Sequence, residues 1–306
     1  MTRAIATVDE NAPHIAFVET PSANEKLLDV ISREEWRELG VFVLDHHGQL
    51  SEEPSAVAQA HEIVKDHTEF PMVRAVVIEP PVDTDMVAAV LLLKRGPVLP
   101  EEDVEVLDKI DRFGKHYPSD EELERAEYAL AIMQAVAEVV KKPYPDNPEE
   151  LKETFKKALR AVERVVDDEE YRKELASKWL EEFRKSVREA EESTEVIEEG
   201  KVKVEDDRIR WCATISEAQN AFTYLYREGY DLVILYSPAM KRVTVGLGDP
   251  ELPIDLCELF EYLNEHHREG WGGRKNIGGS PKNHGIDEDE FKDIVSIIRG
   301  WLLGFS

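Results

Sequence analysis

The chain has 306 residues, enough to bury a substantial core in one large or two medium domains. It carries 65 acidic against 38 basic residues, a formal net charge of -27, which argues against tight binding to bulk duplex DNA, because that affinity rests on cations that neutralise phosphates. Cys212 and Cys257 are too few and too far apart for a four-thiolate zinc site or a disulfide framework, and two buried, reduced thiols are expected. No apolar run approaches the ~20 residues that span a bilayer, and MTRAIATVDE lacks the apolar segment of a secretion signal, so a cytoplasmic protein without a membrane partner is expected.

Residues 1–118 alternate strands and helices. TVDENA reads as a turn between two strands. HIAFVE is a short apolar strand, followed by the turn TPSAN and a single helix over EKLLDVISREEWREL that Gly40 closes. VFVLD is a second buried strand and AVAQAHEIVKDH a helix, with His61 and His67 read as surface residues. VRAVVIEPP is a third strand, and DTDMVAAVLLLKRG is a helix opened by the capping residues Asp83, Thr84 and Asp85. Strands buried on both faces and alternating with helices predict an α/β fold with a doubly wound parallel sheet.

Residues 119–199 differ in texture. LERAEYALAIMQAVAEVV is apolar enough to pack, KPYPDNP breaks it, and the following helices are laced with opposite charges four residues apart. A charged, solvated helical connector is predicted, with a partner-binding or dimerising arm as the alternative. Residues 200–306 predict a second, smaller α/β unit. It comprises a hairpin turning at Glu205 to Asp207, the strands YDLVILYSP and KRVTVGLG, the helix LCELFEYLNEHH, the loop GWGGRKNIGGSPKNHG, and an apolar terminal helix. His266 and His267 read as helix-end residues, and Trp271 beside the loop as a candidate to stack on a base.

The strongest chemical signal is VFVLDHHG. Asp45, His46 and His47 directly follow a buried strand, where open α/β sheets gather ligands, and a carboxylate with two imidazoles suits Mn²⁺. The triplet alone is common by chance; placed after an apolar strand and before Gly48 it is much less so.

On these residues the chain resembles the DHH phosphoesterases, which include RecJ-like exonucleases, oligoribonucleases and cyclic-dinucleotide phosphodiesterases. A second resemblance lies near the other end. YDLVILYSPAMKRVTVGLG followed by GGRKNIGGSP is similar to the DHHA1 subdomain of that superfamily, with Arg274 near the position of a histidine in its more usual GGGHxxAAG loop. The resemblance implies an N-terminal DHH domain over 1–118, a connector over 119–199 and a DHHA1-like domain over 200–306. It implies a metal site of one or two Mn²⁺ or Mg²⁺ ions held by Asp45, His46, Glu19 (where the family has Asp) and Asp111, with Asp108 as the fallback. The family's opening HxDxD motif is missing. Asp83 and Asp85 either replace it or only cap their helix. His46 and His47 are the implied catalytic imidazoles. Gly272, Gly273, Arg274, Gly278, Gly279, Ser280 and Lys282 are the implied substrate-binding residues, with glycine backbone and cations meeting phosphate.

The expected function is therefore metal-assisted hydrolysis of a phosphodiester in a small phosphorylated substrate, such as a short oligonucleotide or cyclic dinucleotide. The alternatives are a catalytically degenerate binding or scaffold protein, and an inorganic pyrophosphatase or polyphosphatase. A homodimer is left open.

Overall fold

The computed structural model describes residues 2–47, 50 and 52–304, so Gly48 of the DHHG segment lies outside the described residues. The protein is mixed α/β and divides into two compact units: Met1–Arg112 with Pro118–Glu181, and Phe113–Tyr117 with Glu182–Ser306.

The first unit is built on a four-stranded sheet in the order β1-β4-β2-β3, from β1 (Ala4–Thr7), β2 (His14–Val18), β3 (Val41–Leu44) and β4 (Val73–Ile78). β2 runs parallel to both β3 and β4, while β1 pairs antiparallel with β4 as an edge strand. The predicted parallel sheet is thus a three-stranded parallel core with one antiparallel edge. The register aligns Val18 with Leu44 and Phe17 with Val77. The residues that next leave the strands, Glu19, Asp45 and Glu79, therefore stand side by side at one carboxyl edge.

The helix predicted over EKLLDVISREEWREL is instead two helices, α1 (Pro21–Leu28) and α2 (Arg33–Glu38). Ser32 breaks it: its hydroxyl accepts from the Glu35 N–H while the Glu35 carboxylate takes the Ser32 N–H, a capping box that starts a new helix. α3 (Ala56–Lys65) packs on α4 (Thr84–Arg95), in which the run from Met86 to Leu93 is buried on every side. α5 (Glu101–Phe113) follows. His61 is buried, contrary to its surface reading, while His67 is exposed.

After the short α6 (Asp120–Arg125), the predicted connector proves to be part of this unit as far as Glu181. α7 (Glu127–Val139) is largely buried, and α8 (Pro148–Asp167) lays Leu151, Phe155, Leu159 and Val162 against α4, α7 and β1. Spacings of three and four residues put those side chains on one stripe, so the charges that suggested a solvated helix occupy the opposite face. α9 (Glu169–Ser193) completes the helical run.

The second unit holds a six-stranded sheet, β5-β6-β7-β8-β10-β9. β5 (Glu195–Val204) and β6 (Asp207–Ile215) form the predicted hairpin, and β6 runs parallel to β7 (Leu232–Ser237), which pairs antiparallel with β8 (Arg242–Leu247). Alternation along β7 divides the packing. Leu232, Ile234 and Tyr236 join a large core with α11 (Leu256–His266) and α12 (Glu288–Leu303), whereas Val233 and Leu235 meet α10 (Ala221–Arg227). Cys212 lies in the latter cluster, where burial pushes its thiol up to about 12; Cys257 is exposed rather than buried.

The predicted glycine-rich loop is a hairpin instead. β9 (Gly272–Arg274) pairs antiparallel with β10 (Ile277–Gly279), and β10 extends the sheet from β8. A Cβ on Gly273 or Gly278 would run into the facing strand and the Phe260 ring, so close packing is what requires glycine there. Trp271 is only 4% exposed and donates its indole N–H to His267 Nδ1, so it cannot stack on a base. Among the described residues, no helix is long and apolar enough to cross a membrane.

Candidate metal centre

The carboxyl edge of the β3-β2-β4 core gathers the titratable groups. Asp45, first past β3, is fully buried and organises the turn beneath it. Its Oδ1 accepts from the backbone N–H of His46 (2.8 Å) and His47 (3.1 Å) and meets His47 Nδ1 at 2.7 Å; its Oδ2 accepts from Asn24 Nδ2 at 2.6 Å. Asn24 is in turn held by the Thr20 hydroxyl, and Gln59 of α3 donates to the Asp45 carbonyl. Asp45 therefore holds the His46-His47 turn and the His47 ring rather than presenting an open carboxylate.

Glu19, first past β2, has a φ of +50°, a left-handed conformation that costs a side-chain-bearing residue energy and here points its carboxylate at the histidines. Glu19 Oε2 lies 2.9 Å from His47 Nδ1 and 3.8 Å from His46 Nε2. Glu19 Oε1 is buried and meets no partner among the described residues. From α5, Asp111 Oδ2 reaches His46 Nε2 at 2.7 Å. Two overlapping sets result. Glu19, His46 and His47 each offer a ligand atom within 4.8 Å of the others, and so do His46, Asp85 and Asp111.

Of Asp83 and Asp85, only Asp83 caps the helix that they open. Asp83 is the N-cap of α4, its side chain accepting from the Met86 N–H. Asp85 is buried and caps a different helix, accepting from Ala56 N (2.7 Å) and Val57 N (2.8 Å) at the start of α3, while also belonging to the second ligand set. Asp108, the fallback ligand, accepts from Ser55 N at 2.7 Å, so two carboxylates satisfy three successive N–H groups of that helix start.

The electrostatics are those of an anionic basin. Burial, then the charge of Asp45, pushes the Glu19 carboxyl up, with the His47 hydrogen bond opposing. Burial and the charge of Glu19 raise Asp83 to about 7. Burial and the charges of Asp111, Glu19 and Asp83 hold Asp85 well above the usual carboxylate range. Hydrogen bonds to Asp45 and Glu19 hold His47 up to about 10. Burial pulls His46 down, but its hydrogen bond to Asp111 and the charge of Glu19 outweigh that and leave it raised. The raised carboxyls and imidazoles show that the crowded carboxylates favour an added positive charge. Oxygen and imidazole donors together with an orphaned buried carboxylate oxygen fit a divalent ion of the Mn²⁺ kind.

Glu79 escaped the sequence reading. It is 2% exposed, pairs with Arg3 and accepts from the Ser22 hydroxyl at 2.5 Å. Its signal was present: an acidic residue directly past a β-branched strand, as Glu19 and Asp45 are past theirs.

In the second unit, Gly272, Gly278, Gly279, Ser280 and Lys282 line a shallow cavity of about 240 Å³, which Arg242 joins and Arg274 does not. Ser280 is tied to Val243 through both its N–H and its hydroxyl, and Arg242 donates to the Lys282 carbonyl. Gly273 and Arg274 lie on the exposed β9.

No family model matches the chain, and no curated protein matches it. Among solved structures, an uncharacterized protein from Helicobacter pylori G27 is similar at 12% identity, over 98% of this chain and 85% of that one, with a TM-score of 0.22. A likeness of that size carries no argument about fold or function.

Proposed function

We propose that the protein is a metal-dependent phosphoesterase of the DHH type, acting on a small phosphorylated substrate such as a short oligonucleotide or cyclic dinucleotide in the cytoplasm. In this reading the first unit corresponds to the DHH domain and the second to the DHHA1-like domain. The observation that carries it is the pair of potential ligand sets that share His46, one with Glu19 and His47 and one with Asp85 and Asp111.

One Mn²⁺ or Mg²⁺ ion would be held either by Glu19, His46 and His47 or by His46, Asp85 and Asp111, the two sets that share His46. When bound, it supplies Lewis acidity toward a phosphoryl oxygen. The chain's own residues do the rest. Asp45 fixes the ring orientation of His47. Without the ion, Asp111 holds a proton at His46 Nε2, the nitrogen that would ligate the metal, so the proton must leave as the ion binds. Ser280, Lys282 and Arg242 offer hydroxyl and cationic donors to an anionic group.

The degenerate-binder alternative has one specific observation in its favour: both oxygens of Asp45 are consumed by protein hydrogen bonds, which leaves fewer open ligands than a two-ion centre uses. Turnover decides between them. Mn²⁺-dependent hydrolysis of bis(p-nitrophenyl) phosphate, short RNA or a cyclic dinucleotide is expected, falling at least ~100-fold in His46→Ala. Absence of turnover on all of them would leave the binding protein, and turnover of pyrophosphate alone would move the assignment to a pyrophosphatase.

A further inference from the structure

A groove of about 740 Å³ runs along the outer side of α3 in the first unit, flanked by α2 and α5. Its volume falls within the ~300–1,000 Å³ typical of small-molecule sites. Its floor includes His61, 6% exposed, whose ring nitrogens meet no hydrogen-bond partner among the described residues. No group among the described residues takes those nitrogens, so an imidazole that lines a cavity in this way is free for a ligand's hydrogen bond. The α2 side contributes Arg37 and the α5 side contributes Glu105 and Asp108.

The groove and the candidate metal centre share α5, and Gln59 of the groove lining donates to the Asp45 carbonyl. Asp108 lines the groove, and Asp111, three residues further along the same helix, bonds His46. Residues at that spacing share a helix face, separated by roughly one turn of ~5 Å. A substrate whose phosphate lies at His46 and Asp111 could therefore extend its other end into the groove.

We propose that this groove is the subsite for the nucleobase of a nucleotide substrate. Carboxylates outnumber cations along it, so a second phosphate is unsuited. A planar, uncharged heterocycle with donors on one edge and acceptors on another matches acidic acceptors on α5, guanidinium donors on α2, and an imidazole that offers one of each. Burial and the nearby Lys65 charge lower the pKa of His61, which keeps that ring neutral and able to play both parts. The proposal rests on the phosphoesterase reading for the phosphate's position, but nucleoside binding can be measured without it.

The test is fluorescence titration of the full chain with 2-aminopurine riboside, which carries no phosphate, with competition by natural nucleosides. Saturable binding is expected, weakened at least about tenfold by His61→Ala and several-fold by Arg37→Gln and by Glu105→Gln. The last two are surface changes that leave the core intact, so the result stands even if His61→Ala fails to fold. No saturable binding, binding indifferent to Arg37→Gln and Glu105→Gln, or displacement by spermidine rather than by nucleosides would overturn the proposal, the last by showing that the groove takes a cationic amine. Mn²⁺-dependent hydrolysis of bis(p-nitrophenyl) phosphate, which has no base, reports on the phosphoesterase reading separately.

Discussion

Asp45→Ala should destabilise the protein by about 3–5 kcal/mol, the largest effect expected of any single change at the centre. The carboxylate is fully buried, and removing it strands two backbone N–H groups and the Asn24 amide while leaving the charged His47 with Glu19 alone. Asp45→Asn keeps the shape and an acceptor but not the charge, so it should cost less and should change the pH dependence. His47 is held up to about 10, above its ordinary value. A raised pKa means that its ion pair stabilises the fold fully below about pH 6.5 and that this contribution is lost as pH rises towards about 10. In Asp45→Asn that decline should be shallower. Urea denaturation at several pH values measures both effects. A midpoint for Asp45→Ala within about 1 kcal/mol of wild type would mean that Asp45 does not organise the turn.

Asp85→Ala should cost about 2–4 kcal/mol, against about 1 kcal/mol for Asp83→Ala, although the two residues share one capping segment. Asp83 satisfies a single N–H at the start of its own helix. Asp85 is buried between two helices and satisfies two N–H groups of α3, whose own N-cap, Ser55, makes no side-chain capping bond. Asp85→Asn retains an acceptor and should recover part of the loss. Burial and neighbouring charge raise Asp85, so both oppose its ionisation. Equal costs for Asp83→Ala and Asp85→Ala would show that Asp85 does not bridge the helices.

Much of the first unit was legible because its signals are local. Apolar runs gave β2, β3 and β4, and a strand followed by Asp-His-His gave the position of the centre. What escaped depends on how segments meet. Nothing in the order of residues tells that Asp85 caps a helix that began 29 positions earlier, or that Asn24 reaches Asp45. The break at Ser32 was written in the sequence as Ser-x-x-Glu but masked by continuous helical composition on either side. The apolar stripe of α8 was hidden by the density of charge on its other face. The glycine hairpin was missed because glycines give a strand no side-chain alternation to read.

The central claim is that the edge holding Glu19, His46 and Asp111 binds a divalent cation, and free Mn²⁺, counted by its paramagnetic resonance signal during titration of the protein, tests it most directly. A cation held by Glu19, His46 and His47 must displace the proton from His47, raised to about 10. Binding should therefore tighten at least about tenfold between about pH 6 and pH 8 in wild type, and weaken by about as much in Glu19→Gln at the higher pH. Mn²⁺ that stays free at about 1 mM, or binds equally well at both pH values and in Glu19→Gln, would contradict the account.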